Sequence, residues 1–228
     1  MIIWTHRGFP GPENTIAAFR KAYLDGIRHF ETDIHATSDG VLVLSHDPDL
    51  TRLINHEAEI STLTHATLNA ISGNKHTWCT LEELIYEFKD VRISIDIKHE
   101  AALSPLIDLL KETNYQNLVV GSFSTNRIRK FIKALPDCTT ALSPIEILKL
   151  KFNLYPRSLK GKKRYAMVPS KFGALKILTP RFIKNCAKLN IPIYIWTINS
   201  QEELSEIAHL GISGIVTDNY PAFATSKS

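Results

Sequence analysis

The sequence predicts a (β/α)8 barrel of the α/β class, and two observations predict it. Short runs rich in β-branched residues alternate with longer amphipathic stretches from one end of the chain to the other, the pattern of βα units around a parallel sheet. The residues hardest to place in a core, His6, Arg7, Glu31, Asp33, Asp96, Lys98, Trp196 and Asp218, all fall at or just after the C-terminal end of a predicted strand. That is the face on which barrel enzymes carry their sites.

The eight predicted strands are Ile2 to Thr5, Arg28 to Asp33, Arg92 to Lys98, Asn117 to Gly121, Cys138 to Leu142, Tyr165 to Val168, Pro192 to Trp196 and Gly214 to Thr217. Between them, Thr15 to Leu24 carries Ile16, Phe19, Ala22 and Tyr23 at helical spacing, and Leu81 to Phe88 repeats Leu81, Leu84, Ile85 and Phe88. Further helices are predicted from Leu103 to Lys111, from Ser124 to Ala134, after the Thr179-Pro180 start signal, and after the Ser200/Glu203 capping box up to about His209. An open doubly wound sheet would show the same alternation, but eight units in 228 residues close most simply into a barrel. With 44% apolar residues the chain suffices for one full core, so a single domain over 1–228 is expected. One connection is too long for a plain βα loop. After His46, a small insertion at about 47–80 is predicted to form an excursion over the barrel mouth, where long loops commonly set specificity.

The formal charge of +4 is a mild bias toward anionic ligands. Much of it is local: Lys149, Lys151, Arg157, Lys160, Lys162, Lys163, Arg164, Lys171 and Lys176 follow one another with no acid among them. The segment 149–176 reads either as a solvated face or as a patch for phosphate head groups, peripheral membrane contact or nucleic acid. No apolar run reaches spanning length and no cleavable signal is visible. Cys79, Cys138 and Cys186 match no metal or redox spacing and read as free thiols, which together point to the cytoplasm.

Chemistry begins at Glu31-Thr-Asp33. Alternate strand residues share a face, so both carboxylates point inward at the rim, where they repel unless a cation lies between them. By the same alternation Asp96 and Lys98 leave the next strand on one face, and an ionised acid inside a barrel is costly unless paired or metal-bound. Three oxygen donors suit Mg²⁺, Ca²⁺ or Mn²⁺ better than zinc. Lys98 could simply neutralise Asp96; with a metal balancing the acids, it and the planar fork of Arg7 are better suited to an anionic substrate. His6 and His46 each end an apolar run at the rim and fit general acid and base roles. Trp196 fits core or pocket wall equally well, Asp218 reads as a turn residue, and the remaining histidines, His29 and His35 among them, read as lying on helices, loops or outward strand positions and receive no role.

Taken together, His6-Arg-Gly8, Pro12-Glu-Asn-Thr15, Glu31-x-Asp33, Thr37-x-Asp-Gly40, His46-Asp47, Thr80-Leu-Glu-Glu-Leu84, Asp96-Ile-Lys98, Trp196-Thr-Ile-Asn199 and Thr217-Asp218 resemble, in order and over almost the whole chain, the glycerophosphodiester phosphodiesterases. The resemblance implies a TIM barrel with a small insertion and one divalent cation, Mg²⁺ or Ca²⁺ first and Mn²⁺ next, held by Glu31, Asp33 and Asp96. It implies an acid/base pair of His6 and His46, phosphate contacts from Arg7 and Lys98, a pocket lined by Trp196, and Glu13 close to the metal. The substrate would be a small glycerophosphodiester, cut to glycerol 3-phosphate and an alcohol either by water or through a cyclic phosphate; nucleic acid is not an expected partner.

Two departures stand out. The Gly8 to Pro12 loop is short, which bears on how Arg7 and Glu13 are placed. Aspartate at position 96, where these enzymes usually carry glutamate, is similar to sphingomyelinase D-type toxins, although the intact Pro12-Glu-Asn-Thr15 favours the diesterase. Lysophospholipase D or sphingomyelinase D-like activity on lipid diesters is therefore the alternative, and a noncatalytic anion-binding or membrane-binding barrel is the alternative of another class.

Overall fold

The structure, a computed structural model, describes residues 1–154, 159, 163–173 and 175–223. Eight parallel strands form a closed barrel: β1 (Ile2–His6), β2 (His29–Ala36), β4 (Arg92–Ile97), β5 (Leu118–Gly121), β6 (Thr139–Ala141), β7 (Arg164–Pro169), β10 (Ile193–Trp196) and β11 (Gly214–Thr217). These are the eight predicted runs, shifted by no more than a few residues at their ends. β1 closes the ring by pairing with both β11 and β2, with His6 in register with Glu31. Closure is tight at Gly214: a Cβ there would lie 2.1 Å from the Ile2 carbonyl oxygen, so no other residue fits this crossing.

The barrel interior holds Trp4, Val119, Tyr194 and Val216, all buried. The outer faces of the strands pack against helices α1 (Ile16–Leu24), α4 (Leu81–Glu87), α5 (Leu103–Thr113), α6 (Thr125–Ala134), α7 (Pro144–Lys151), α8 (Pro180–Lys188) and α9 (Gln201–Ala208). Two large apolar clusters fill that layer, one centred on Phe19, Phe30 and Ile95, the other on Phe182, Ile195 and Ile215. Each such fully buried side chain contributes about 1.5–3 kcal/mol relative to exposure. The helices expected after Ser124, Thr179 and Ser200 start there: Ser124 and Thr179 accept bonds from the first turn, and Ser200/Glu203 forms a complete capping box. Thr15 caps α1 and a Thr80/Glu83 capping box starts α4 in the same way.

Helix α7 was not predicted, although Ser143 and Glu146 form a capping box of the same kind, with Pro144 at the first helical position. Its excess of lysines masked the signal. Glu146 also receives the guanidinium of Arg164, which is buried and bonds Thr140 Oγ1 at 2.5 Å, so one outward-facing strand residue ties β7 to α7. Of the basic segment, Arg157, Lys160 and Lys162 lie outside the described residues. Beyond them a short hairpin, β8 (Lys171–Phe172) and β9 (Leu175–Lys176), stands at the rim after β7.

The connection after β2 turns back as β3 (Leu42–Leu44), antiparallel to β2. Residues 47–80 then carry α2 (Thr51–Ile54) and α3 (His65–Ser72) around a small apolar cluster of Val43, Leu50, Ile54, Ile60, Leu68 and Trp78. Among the described residues no helix is long and apolar enough to cross a membrane.

Candidate active site

Strand register assembles the acids. Glu31 and Asp33 alternate on β2, His6 lies beside Glu31, and Asp33 lies beside Asp96 on β4. All eight of the residues His6, Arg7, Glu31, Asp33, His46, Asp96, Lys98 and Trp196 line one cavity of about 570 Å³ at the C-terminal mouth of the barrel. Glu13, in the loop after β1, is buried and is not part of that lining.

That loop is built to aim Arg7. The residue takes a left-handed backbone conformation (φ 52°), its amide donates to the Glu31 carbonyl at 2.8 Å, and its own carbonyl accepts from Asn14 N at 2.7 Å. Such a conformation costs a non-glycine residue free energy and persists only where its surroundings hold it. Gly8 follows at φ 81° and packs so closely on α1 that a Cβ would meet Ala18 at 2.9 Å. The short loop thereby brings Arg7 and Glu13 together: Arg7 Nε lies 2.9 Å from Asp33 Oδ2, and Arg7 Nη1 lies 3.7 Å from Glu13 Oε2.

Lys98 occupies the gap between two acids, its ammonium 2.7 Å from Asp33 Oδ1 and 2.9 Å from Asp96 Oδ2. Burial works against its charge, but Asp33 and Asp96 win and raise its pKa. Glu31 has no such neighbour. Burial, helped by the charge of Asp33, pushes its carboxyl up to about 8, and burial raises Asp96 as well. Glu31 Oε2 and Asp96 Oδ1 are buried without a hydrogen-bond partner, and Asp33 Oδ2 has only the ion-pair contact of Arg7 Nε. Buried carboxylate oxygens so sparsely partnered are costly, and three of them with hard-oxygen chemistry fit a divalent cation. They do not form a finished ligand cage. Among the described residues no group of three histidine, cysteine or acidic side chains is arranged to hold a metal as it stands, and Lys98 partly supplies the positive charge there.

The two histidines are held alike. His6 Nδ1 lies 2.5 Å from Asp218 Oδ1, and His46 Nδ1 lies 2.7 Å from Asp47 Oδ1. A carboxylate at Nδ1 fixes that nitrogen as the N–H donor and leaves Nε2 as the nitrogen with the lone pair. His6 Nε2 is 3.6 Å from Glu31 Oε2. Burial lowers the His6 pKa, but the Asp218 bond and the Glu31 charge outweigh it and the net direction is up. Both supporting acids are themselves anchored. Asn199 Nδ2 donates to Asp218 at 2.9 Å, while Arg52 bonds Asp47 through Nε and Glu13 through Nη2. Burial opposes ionisation in both, yet their bonds hold each carboxyl below its usual range.

Asp218, Asp47 and Arg52 thus belong to the site without having been assigned roles from sequence. Asp218 did end the last strand, and Asp47 adjoined His46; nothing local marks Arg52, which reaches the mouth from α2. His29 and His35 are also placed differently. They share the inward parity of Glu31 and Asp33, with the His29 ring packed 4.8 Å from that of Trp4 inside the barrel and His35 Nε2 lying 3.4 Å from the His46 carbonyl. Trp196 walls the cavity opposite the acids, with Phe123 edge-on at 6.3 Å, and the far side is aliphatic, formed by Pro144, Ile147, Leu148, Leu175 and Ile177 with Phe172.

Comparison with known proteins agrees with this architecture. A Mycobacterium tuberculosis protein named "Probable glycerophosphodiester phosphodiesterase 2" is 28% identical over 232 residues, covering 95% of this chain and 87% of that one. The human protein named lysophospholipase D GDPD1 is 27% identical over 260 residues, covering 95% and 82%. The crystal structure of glycerophosphodiester phosphodiesterase from Thermotoga maritima superposes with a TM-score of 0.76 at 25% identity, covering 98% of this chain and 96% of that one. The model of the glycerophosphoryl diester phosphodiesterase family matches residues 6–221. The chain belongs to that family and is an enzyme of its kind, a phosphodiesterase acting on glycerophosphodiesters.

Proposed function

We propose that the enzyme hydrolyses soluble glycerophosphodiesters to glycerol 3-phosphate and a free alcohol, with His6 and His46 as the acid/base pair. The observation that carries this reading is the matched support of the two imidazoles, each with Nδ1 against a carboxylate and both lining the cavity that holds Arg7 and Lys98. One Nε2 takes the proton from the attacking oxygen, of water or of the neighbouring glycerol hydroxyl, while the other gives a proton to the departing alcohol oxygen as the P–O bond breaks. If the hydroxyl attacks, the cyclic phosphate formed first is opened by water in a second turn of the same pair. Arg7 and Lys98 hold the phosphoryl oxygens and stabilise the charge that grows on them.

Glu31, Asp33 and Asp96 are the residues that would hold a divalent cation, Mg²⁺ or Ca²⁺ before Mn²⁺, in competition with Lys98 for the last two. When bound, such an ion supplies Lewis-acid stabilisation of the phosphoryl oxygens. A second reading, lysophospholipid diesters as substrates, is favoured by the aliphatic side of the cavity around Ile147, Leu148 and Leu175, which has room for an acyl chain beside the polar centre. The test is turnover of glycerophosphocholine against lysophosphatidylcholine, with chelator and then with Mg²⁺, Ca²⁺ or Mn²⁺ restored. Preference for the lipid would replace the first reading by the second, and turnover indifferent to chelator would remove the cation.

A further inference from the structure

Helix α7 carries apolar residues on two faces. Leu150 is buried and Ile147 lines the cavity, as the barrel requires. Ile145, Leu148 and Phe152, at i, i+3 and i+7, form a second stripe that points into solvent, with exposures of 42%, 41% and 58%. Lys151 reaches from the end of the same helix to the Lys176 carbonyl on the β8–β9 hairpin, whose Phe172 is 62% exposed. Leu148 and Phe172 also line the cavity, so the stripe is continuous with the mouth of the site. Around it stand Lys149, Lys171 and Lys176, all exposed. From Ile147 to Gln201 the chain contains no acidic residue, and the acid on α7 itself, Glu146, is engaged by Arg164.

We propose that α7 and the β8–β9 hairpin form a docking face for an anionic lipid bilayer, which seats the cavity mouth against the membrane surface. An exposed apolar stripe flanked by lysines is the composition of an interfacial element, with the side chains entering the head-group boundary and the ammonium groups meeting lipid phosphates. A second copy of this chain fits less well, because a twofold contact would set the lysines of one face against those of the other. A nucleic acid would use the lysines and leave the isoleucine and leucine without a partner. The face is independent of the acid/base assignment in the cavity.

The experiment is co-sedimentation of the whole protein with vesicles of phosphatidylcholine and with vesicles of equal parts phosphatidylcholine and phosphatidylserine. Two double variants accompany it, Ile145→Glu/Phe152→Glu for the stripe and Lys149→Glu/Lys171→Glu for the rim, none of these residues lining the cavity. Wild type should partition onto the anionic vesicles roughly tenfold or more better than onto the neutral ones, and each double variant should lose about tenfold or more of that binding. Both variants should keep turnover on glycerophosphocholine. The proposal is overturned if wild type shows no preference for anionic vesicles, or if both variants bind as wild type does. It is also overturned if wild type is a dimer that Ile145→Glu/Phe152→Glu dissociates while vesicle binding is absent. Turnover of the soluble diester, read on the same samples, reports separately on the proposed chemistry; a protein that docks without turning it over would fail that reading alone.

Discussion

Asp218 Oδ1 lies 2.5 Å from His6 Nδ1, so a residue from the last strand's end orients a histidine from the first. Replacing it with asparagine keeps the shape but loses the charge and frees the ring to choose the other tautomer. Asp218→Asn should lower kcat by about tenfold or more with KM little changed. In ¹H–¹⁵N spectra of the histidine side chains the His6 pKa should fall, since both the bond to Asp218 and its charge raise it. An unaltered His6 titration would show that the contact does not govern the ring.

His6→Ala and His46→Ala should each leave a folded protein with turnover reduced by about 10² or more. Arg52→Ala, which releases Asp47 and Glu13 together, should produce a smaller loss, about tenfold, from a disordered His46. Steady-state rates beside far-ultraviolet circular dichroism distinguish lost chemistry from lost fold. Near wild-type activity in either histidine variant would remove that histidine from the mechanism.

Cation binding should be coupled to pH. Burial and Asp33 push the Glu31 carboxyl up to about 8, so it holds to higher pH than an ordinary carboxyl a proton with which an entering cation must compete. Affinity for Mg²⁺ or Ca²⁺, measured by calorimetry, should therefore rise between about pH 6 and 8, with proton release visible as a dependence of the heat on buffer. Glu31→Gln should weaken binding and flatten that pH dependence. Binding that is indifferent to pH in this window would place the ion elsewhere.

The pair of buried Arg164 with half-buried Glu146 makes a stability prediction remote from the chemistry. Removing the guanidinium leaves Glu146 with only its Ser143 bonds and Thr140 without its donor. Arg164→Ala should cost about 3–5 kcal/mol in denaturant unfolding. Arg164→Met together with Glu146→Gln, which removes both charges, should recover much of that loss.

His29 should make stability fall in mild acid. Burial, with the charge of Arg92, lowers its pKa from near 6.5 to about 4. The folded protein thus binds this proton less readily than the unfolded chain, and the stabilisation is fully present above about pH 6.5 and declines as pH falls toward 4. The Tm of wild type minus that of His29→Leu should decrease across this window, and a flat difference would show that the ring titrates normally.

Much of the fold was legible because hydrophobic periodicity and helix caps are local properties of a chain. The eight strands could be read from β-branched runs, and the inward parity of Glu31, Asp33 and Asp96 from alternation alone. Parity also applied to His29 and His35, but histidine is equally at home on a surface and the rule was not extended to them. Helix α7 had a complete capping box and was hidden by its lysines, which look like a solvated loop until the inner face of Ile147 and Leu150 is seen. Arg52 could not be read at all. Its contacts with Glu13 and Asp47 depend on how the 47–80 excursion folds over the mouth, and no spacing in sequence encodes that approach.

The closure of β1 between β2 and β11 places the two halves of the His6–Asp218 pair 212 residues apart in the chain. A contact spanning that separation closes a very large loop, and its entropic cost is offset only when the intervening units are already in place. Turnover is therefore a reporter on the finished ring. In refolding from denaturant, helical signal should recover first, and burial of Trp4, which packs on Tyr194 and Val216, should come with catalysis last, when the first strand finds the final one.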